Sequence, residues 1–312
     1  MSKPRIAVTL GDIAGIGPEI VFKAANSRAV RKVCRPVIFG DRQSLFLYEK
    51  CSKSVFDFIV TSNVGKVAIG KPSKKSGIAA CKAIESAVKF CLDGKAEALV
   101  TAPVSKESFK LAGVKHAGHT ELLADLTKSK EVAMLMSCGK IHGVMVTRHI
   151  PLAKVSKMLT IKKIADTVKL AACFLSASRN SSALSLRVAL CSLNPHAGDN
   201  GILGKEEKNI IFPAYKILKR NINISKPLPA DAAWLKTKNG EYDLICCMHH
   251  DQMMIPLKCI GAKKIVNVTA GLPFVRTSPG HGTAFDIAGK NSADPSAMIE
   301  AMLYAAKTAQ AV

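Results

Sequence analysis

The 312-residue chain has ten cysteines but no Cys-x-x-Cys pair. Without that spacing, a cysteine-built zinc site is not expected. The adjacent pair Cys246-Cys247 lies inside an apolar run and reads as buried, reduced thiols. Aromatic residues make up only 5% of the chain, with a single tryptophan, so the core must pack from aliphatic side chains. No apolar run reaches the roughly 18–20 residues that a membrane-spanning helix needs. The first run, Ile6 to Leu10, is too short for a signal-peptide core and has no small-residue cleavage site after it. A cytoplasmic location is therefore expected. Acidic residues are scarce, 23 against 45 Lys and Arg, for a formal charge of +22. The lysines are dispersed. Lys162-Lys163, Lys263-Lys264 and the group Lys71, Lys74 and Lys75 are short clusters, and there is no basic tail or aromatic-basic RNA motif. A solvated basic surface that attracts anionic small molecules is expected, not a nucleic-acid interface. Internal repeats, low-complexity stretches and Pro/Gly/Ser-rich linkers are also missing.

The chain does contain a regular alternation of short apolar runs and longer helical patterns. Strands are expected at 5–10, 36–40, 97–101, 131–137, 142–147, 186–193, 243–248 and 264–269. Helices are expected at 18–27, 76–93, 118–128, 160–177, 205–220 and 294–310. The alternation points to an α/β fold with a mixed sheet.

Three histidines directly follow apolar runs: His149, His196 and His250. Ligands of open α/β sheets bind beyond the carboxyl ends of strands. Three imidazoles delivered there could hold one divalent metal and leave positions open for substrate. Taken singly, each histidine fits an ordinary core or surface position equally well. Asn194-Pro195-His196-Ala197-Gly198-Asp199-Asn200-Gly201 has the residues of a ligand-presenting loop. Asp251-Gln252 adds a carboxylate and an amide beside His250, able to orient a ligand or touch a cofactor. Gly11-Asp12-Ile13-Ala14-Gly15-Ile16-Gly17-Pro18-Glu19 follows a strand and opens a helix. It does not satisfy G-x-G-x-x-G, because Ile20 stands where the third glycine belongs. It reads either as a tight turn or as a loop whose free amides and Asp12 line a site. In Gly118-His119-Thr120-Glu121, Thr120 is a candidate cap for the helix that follows, and a helix start favours anions. Lys258, Asn267 and Arg276 form a cationic and polar set suited to phosphate and carboxylate. Gly280-His281-Gly282 is a glycine-flanked candidate for dinucleotide contact, or an ordinary turn.

Taken in order, these segments resemble the 4-hydroxythreonine-4-phosphate dehydrogenase family of pyridoxal 5′-phosphate biosynthesis. The resemblance runs from the N-terminus to about Gly289. It implies a fold of the isocitrate and isopropylmalate dehydrogenase type and not a Rossmann fold. Two interleaved α/β subdomains would flank a cleft, split near 1–130 plus 270–312 and 131–269, and form one catalytic unit. It implies a homodimer with a shared active site, NAD or NADP as cofactor, and a divalent metal (zinc, cobalt or magnesium). By family position the metal ligands are His149, His196 and His250, not all from one subunit; His250 is preferred to His249 because it immediately precedes Asp-Gln. Substrate contacts fall on His119, Thr120, Lys258, Asn267 and Arg276, and cofactor contacts on Gly280, His281 and Gly282. Lys258 and Asp251 are the candidates for proton transfer, and Asp231 matches a further polar position. The implied reaction oxidises 4-phosphohydroxy-L-threonine to 2-amino-3-oxo-4-phosphooxybutanoate, which decarboxylates to 3-amino-2-oxopropyl phosphate. The alternative substrate is threonate or erythronate 4-phosphate. The sequence departs from the family pattern at Ile13, commonly proline, and at Met253-Met254, commonly Gly-Leu.

Overall fold

The computed structural model describes residues 3–47, 56–116 and 118–311. Among them are eleven strands: β1 (Arg5–Thr9), β2 (Arg35–Asp41), β3 (Asp57–Ser62), β4 (Ala98–Thr101), β5 (Ala133–Cys138), β6 (Ile141–Met145), β7 (Arg187–Leu190), β8 (Asn223–Ile224), β9 (Leu244–Cys247), β10 (Ile265–Ala270) and β11 (Val275–Pro279). The chain divides into two compact units. One is Met1–Glu131 with Val266–Gln310, the other Val132–Ile265 with Ala311–Val312.

In the first unit the strand order is β3-β2-β1-β4-β11-β10. All neighbours are parallel except β10, which runs antiparallel to β11. Thr9 pairs with Thr101, Arg276 with Leu99 and with Thr269, and Asn267 with Ser278. Side chains alternate between faces along a strand, and paired residues share a face. One face therefore carries Ala7, Thr9, Leu99, Thr101, Asn267, Thr269, Arg276 and Ser278. The helix Lys74–Leu92 covers this face with Ala80, Ala83, Ile84, Ala87 and Val88, packed with Ala7, Val37 and Leu99. Its start is capped by Ser73, whose hydroxyl accepts the Ser76 N–H. Each fully buried branched aliphatic here is worth about 1.5–3 kcal/mol, enough together to hold an aromatic-poor core. The helix His119–Leu126 joins the same cluster through Leu122 and Leu123.

In the second unit the order is β5-β6-β9-β7-β8. β5 and β6 form an antiparallel hairpin, and β6, β9, β7 and β8 are mutually parallel. Their carboxyl ends thus open on one edge. The core here is Met136, Met145, Ala189, Cys191, Ile245, Cys247, Met253, Leu257 and neighbours. No helix among the described residues is long and apolar enough to cross a membrane.

The mixed α/β sheet is as expected, and every expected strand is present within a few residues. The expected helix 205–220 is broken. A π-helical turn, Glu207–Ile211, precedes the α-helix Phe212–Leu218. Pro213, which has no N–H to donate, sits at the junction. β3, β8 and β11 and the helices Arg28–Val33, Arg42–Leu47, Lys106–Leu111, Ala230–Lys238 and His250–Gly261 were not anticipated.

The loop 11–19 is wholly buried. Its amides are used inside the protein: Asp12 N–H donates to Pro103 O, Gly15 N–H to Asp12 O and Ile16 N–H to Thr283 O. Asp12 Oδ1 accepts the Ala14 N–H. These four bonds fit the tight-turn reading. Gly11 has φ +68°, and a Cβ there would stand 2.3 Å from Pro103 O. Gly11→Ala should therefore destabilise the protein by about 2–4 kcal/mol. A urea-unfolding midpoint equal to the wild type's would refute that account of the turn.

Candidate active site

The second unit delivers all three histidines to its parallel edge. His149 follows β6, His196 follows β7 and His250 follows β9. The His149 and His250 rings lie 5.7 Å apart between centroids, inclined by 49°. They share a cleft of about 280 Å³ with Arg148, Ile150, Pro151, His249 and Asp251. Asp251 Oδ1 lies 2.7 Å from His250 Nδ1. A proton held on Nδ1 by that bond leaves the Nε2 lone pair free, the tautomer an imidazole needs to bind a metal through Nε2. The same bond, reinforced by the nearby His250, His249 and Lys258, holds the Asp251 carboxyl below its usual range. Burial pushes the His249 imidazole down. The donor set, two imidazoles with a carboxylate beside one of them, fits a borderline divalent cation. Among the described residues, however, no three His, Cys, Asp or Glu side chains come together to hold an ion. His196 reaches the same edge but does not line this cleft.

The backbone carrying His196 is unusual. His196, Ala197, Gly198, Asp199 and Asn200 are all left-handed, with φ between 41° and 79°. Such a run costs roughly 1–2 kcal/mol for each residue other than glycine, less for Asn and Asp. Two consecutive carboxylates hold it. Glu207 accepts the backbone N–H groups of Leu193 and Asn194, at 2.9 and 2.8 Å, and the Asn194 side-chain amide. Glu206 accepts from Ser156 Oγ and Asn194 Nδ2, bonds that lower its pKa. A Cβ on Gly198 would stand 2.6 Å from Glu207 Oε2, so the loop closes only over glycine.

The first unit contains a different kind of site. Arg276, the second residue of β11, is 1% exposed. It donates to Thr269 Oγ1 at 2.9 Å and Thr101 Oγ1 at 2.5 Å, and among the described residues its Nε has no partner. No carboxylate among the described residues pairs with it. Burial alone brings its pKa down to about 10. His119 is near enough to feel that charge. Burial first, and Arg276 second, push its imidazole well below the ordinary range. Buried polar atoms without partners are rare and mark a strain or a ligand. Among the described residues of this unit, His119 Nε2, Asn267 Oδ1, Thr9 Oγ1, Asp12 Oδ2 and Glu19 Oε2 are five more.

Two expectations need correction. Thr120 does not cap its helix. The helix begins at His119, its cap residue is Gly118, and no side chain closes the end, which leaves first-turn amides open. Arg276 lies inside a buried strand that was not among the expected ones, because Thr277 and Ser278 pair with β10 despite the flanking prolines. Lys258 is exposed on the helix His250–Gly261, seven residues beyond Asp251 and on the same helical face. Gly280, His281 and Gly282 are exposed, and His281 Nδ1 lies 3.0 Å from Gly282 O.

Residues 27–305 match the model of the pyridoxal phosphate biosynthetic protein PdxA. The chain belongs to the PdxA family. It is 41% identical to the 4-hydroxythreonine-4-phosphate dehydrogenase of Sulfurihydrogenibium sp. (strain YO3AOP1), over 96% of each chain. It is 36% identical to the D-threonate 4-phosphate dehydrogenase of Cupriavidus necator, covering 98% of this chain and 97% of that one. Its fold matches the crystal structure of 4-hydroxythreonine-4-phosphate dehydrogenase from Klebsiella pneumoniae with a TM-score of 0.88. That match has 33% identity and covers 99% and 100% of the two chains. For this PdxA-family chain, sequence reasoning missed Glu206, Glu207, Thr101 and Thr269. The pair of carboxylates ten residues beyond His196 was the available signal for the first two. Nothing local marks the threonines.

A histidine kept neutral by its surroundings opposes protonation of the folded state. The unfolded chain takes up a proton near pH 6.5, and the folded one only at a lower pH. Stability should therefore be complete above pH 6.5 and fall as the pH drops below it. His119→Gln should lose less stability between pH 7 and pH 5 than the wild type in urea titrations. Parallel pH profiles for the two proteins would contradict the burial of a neutral His119.

Proposed function

We propose that this PdxA-family chain oxidises 4-phosphohydroxy-L-threonine, with NAD or NADP as hydride acceptor, in pyridoxal 5′-phosphate biosynthesis. The observation that carries the reading is the buried Arg276 guanidinium, which lacks a counter-anion and stands near a neutral His119. A doubly charged phosphate or a carboxylate supplies the missing charge, and Arg276 holds it by charge-assisted bonds. His119, Thr120 and Asn267 are proposed to orient the substrate's polar groups; the unpartnered His119 Nε2 and Asn267 Oδ1 support this.

His149, His196 and His250 are proposed to hold a divalent cation. The paired rings of His149 and His250 and the Asp251 contact support two of the three. The separation of His196 from that pair supports a site completed by a second copy of the chain, and hence a homodimer. When bound, the cation supplies Lewis acidity at the hydroxyl being oxidised, and the nicotinamide accepts the hydride. The hydroxyl proton passes to Asp251 or Lys258. The oxidised 2-amino-3-oxo acid then loses carbon dioxide to give 3-amino-2-oxopropyl phosphate, with the electron pair of the broken C–C bond delocalised onto the keto oxygen. Gly280, His281 and Gly282 remain the proposed cofactor contacts. We also propose the isocitrate and isopropylmalate dehydrogenase type of fold in place of a Rossmann fold. The first glycine loop supports it, because the amides of Asp12, Ala14, Gly15 and Ile16 are bonded within the protein.

The resemblance to a D-threonate 4-phosphate dehydrogenase favours one second reading, oxidation of that sugar-acid phosphate by the same residues. NADH or NADPH formation should be followed with each substrate in turn. The expected result is turnover of 4-phosphohydroxy-L-threonine that a chelator abolishes and zinc or cobalt restores. Turnover of D-threonate 4-phosphate alone would replace the first reading with the second.

A further inference from the structure

The three histidine loops of the second unit are joined by one line of hydrogen bonds, and a single side chain closes it. Thr147, two residues before His149, donates to Met248 O through both its N–H and its hydroxyl, at 3.1 and 2.7 Å. Met248, two residues before His250, donates its N–H to Gln252 Oε1 at 2.7 Å. Gln252 in turn donates Nε2–H to Ser192 O at 2.8 Å, four residues before His196. Its own backbone carbonyl is held by Trp234 Nε1 at 2.8 Å and by the Cys247 thiol at 3.7 Å. Thr147, Ser192 and Met248 are buried, so each of these bonds is sheltered from water and costly to leave unmade.

We infer that Gln252 is a positioning residue that sets the spacing of the His149, His196 and His250 loops. Its amide must accept from one loop and donate to the other at the same time, which only a neutral carboxamide of this length does. A glutamate at this position would keep the acceptor for Met248 but turn an oxygen against the Ser192 carbonyl. A methionine would keep the volume and lose both bonds. The left-handed loop at 196–200 makes this anchoring necessary. The strained turn is fixed at Ser192 by Gln252 and at Leu193 and Asn194 by Glu207, so His196 starts from a rigid base.

The inference rests on the reading that these histidines ligate a metal, and the test separates the two. Zinc and cobalt affinities of the full chain are measured by chelator competition, and the visible d–d spectrum is recorded at saturating cobalt. His196→Ala and His250→Ala report on the metal reading. If both bind like the wild type, that reading fails and the inference falls with it. If both lose metal, Gln252→Glu and Gln252→Met decide. The expected result is cooperative melting with affinity lowered about 10- to 100-fold and an altered d–d spectrum, as for other residues that orient metal ligands. Wild-type affinity and spectrum in a folded Gln252 variant would overturn the inference. Failure of both variants to fold would also overturn it, since the side chain would then hold the fold and not the site.

Discussion

Arg276 is a permanent positive charge placed where water does not reach it, and no carboxylate in the described structure neutralises it. Moving a charge out of water is expensive, and two threonine hydroxyls repay only part of that cost. Much of the first unit's construction follows from housing it. β4 and β10 bring Thr101 and Thr269 to its guanidinium. The helix bearing His119 closes over the same sheet face, and the field of Arg276 helps keep that imidazole neutral. A basic protein with a formal charge of +22 concentrates anions around itself. In the proposed function, Arg276 would convert that general attraction into a specific requirement for one buried anion.

The second unit solves a different problem with backbone geometry. Parallel strands β6, β9 and β7 end on one edge, so three loops emerge side by side. His149 and His250 meet through short connections, while His196 is carried on a left-handed turn held by Glu206, Glu207 and Gln252. Strain of this kind persists only where surrounding bonds over-determine it. Polar residues that touch no substrate thereby set where an imidazole stands.

How much of this was legible depended on how local the cause was. The apolar runs that end at the three histidines are continuous and β-rich, so the strand-end placement could be read directly. β11 could not, because Pro273 and Pro279 bracket a run of Arg, Thr and Ser that resembles a loop; pairing with β4 and β10 makes it a strand. The helix His250–Gly261 was hidden by Pro256 inside it and by its polar opening. Thr120 resembled a cap by residue type, but the helix starts two residues earlier than a cap there would require. The parts played by Gln252 and Glu207 arise from bonds that span 60 and 14 positions of sequence, and no local pattern records them. The family resemblance supplied the residue roles that periodicity alone left open.

In the proposed function, Arg276 is held at a cost to stability in order to bind the substrate's anionic group. Arg276→Met, compared with the wild type, tests it in one pair of measurements: the urea-unfolding free energy without ligand, and calorimetric binding of 4-phosphohydroxy-L-threonine. Replacing an unpaired buried charge by an apolar side chain of similar length should leave stability unchanged or raise it by about 1–4 kcal/mol, while substrate affinity falls at least about 30-fold. A variant that is less stable than the wild type and binds the substrate with unchanged affinity would contradict the account.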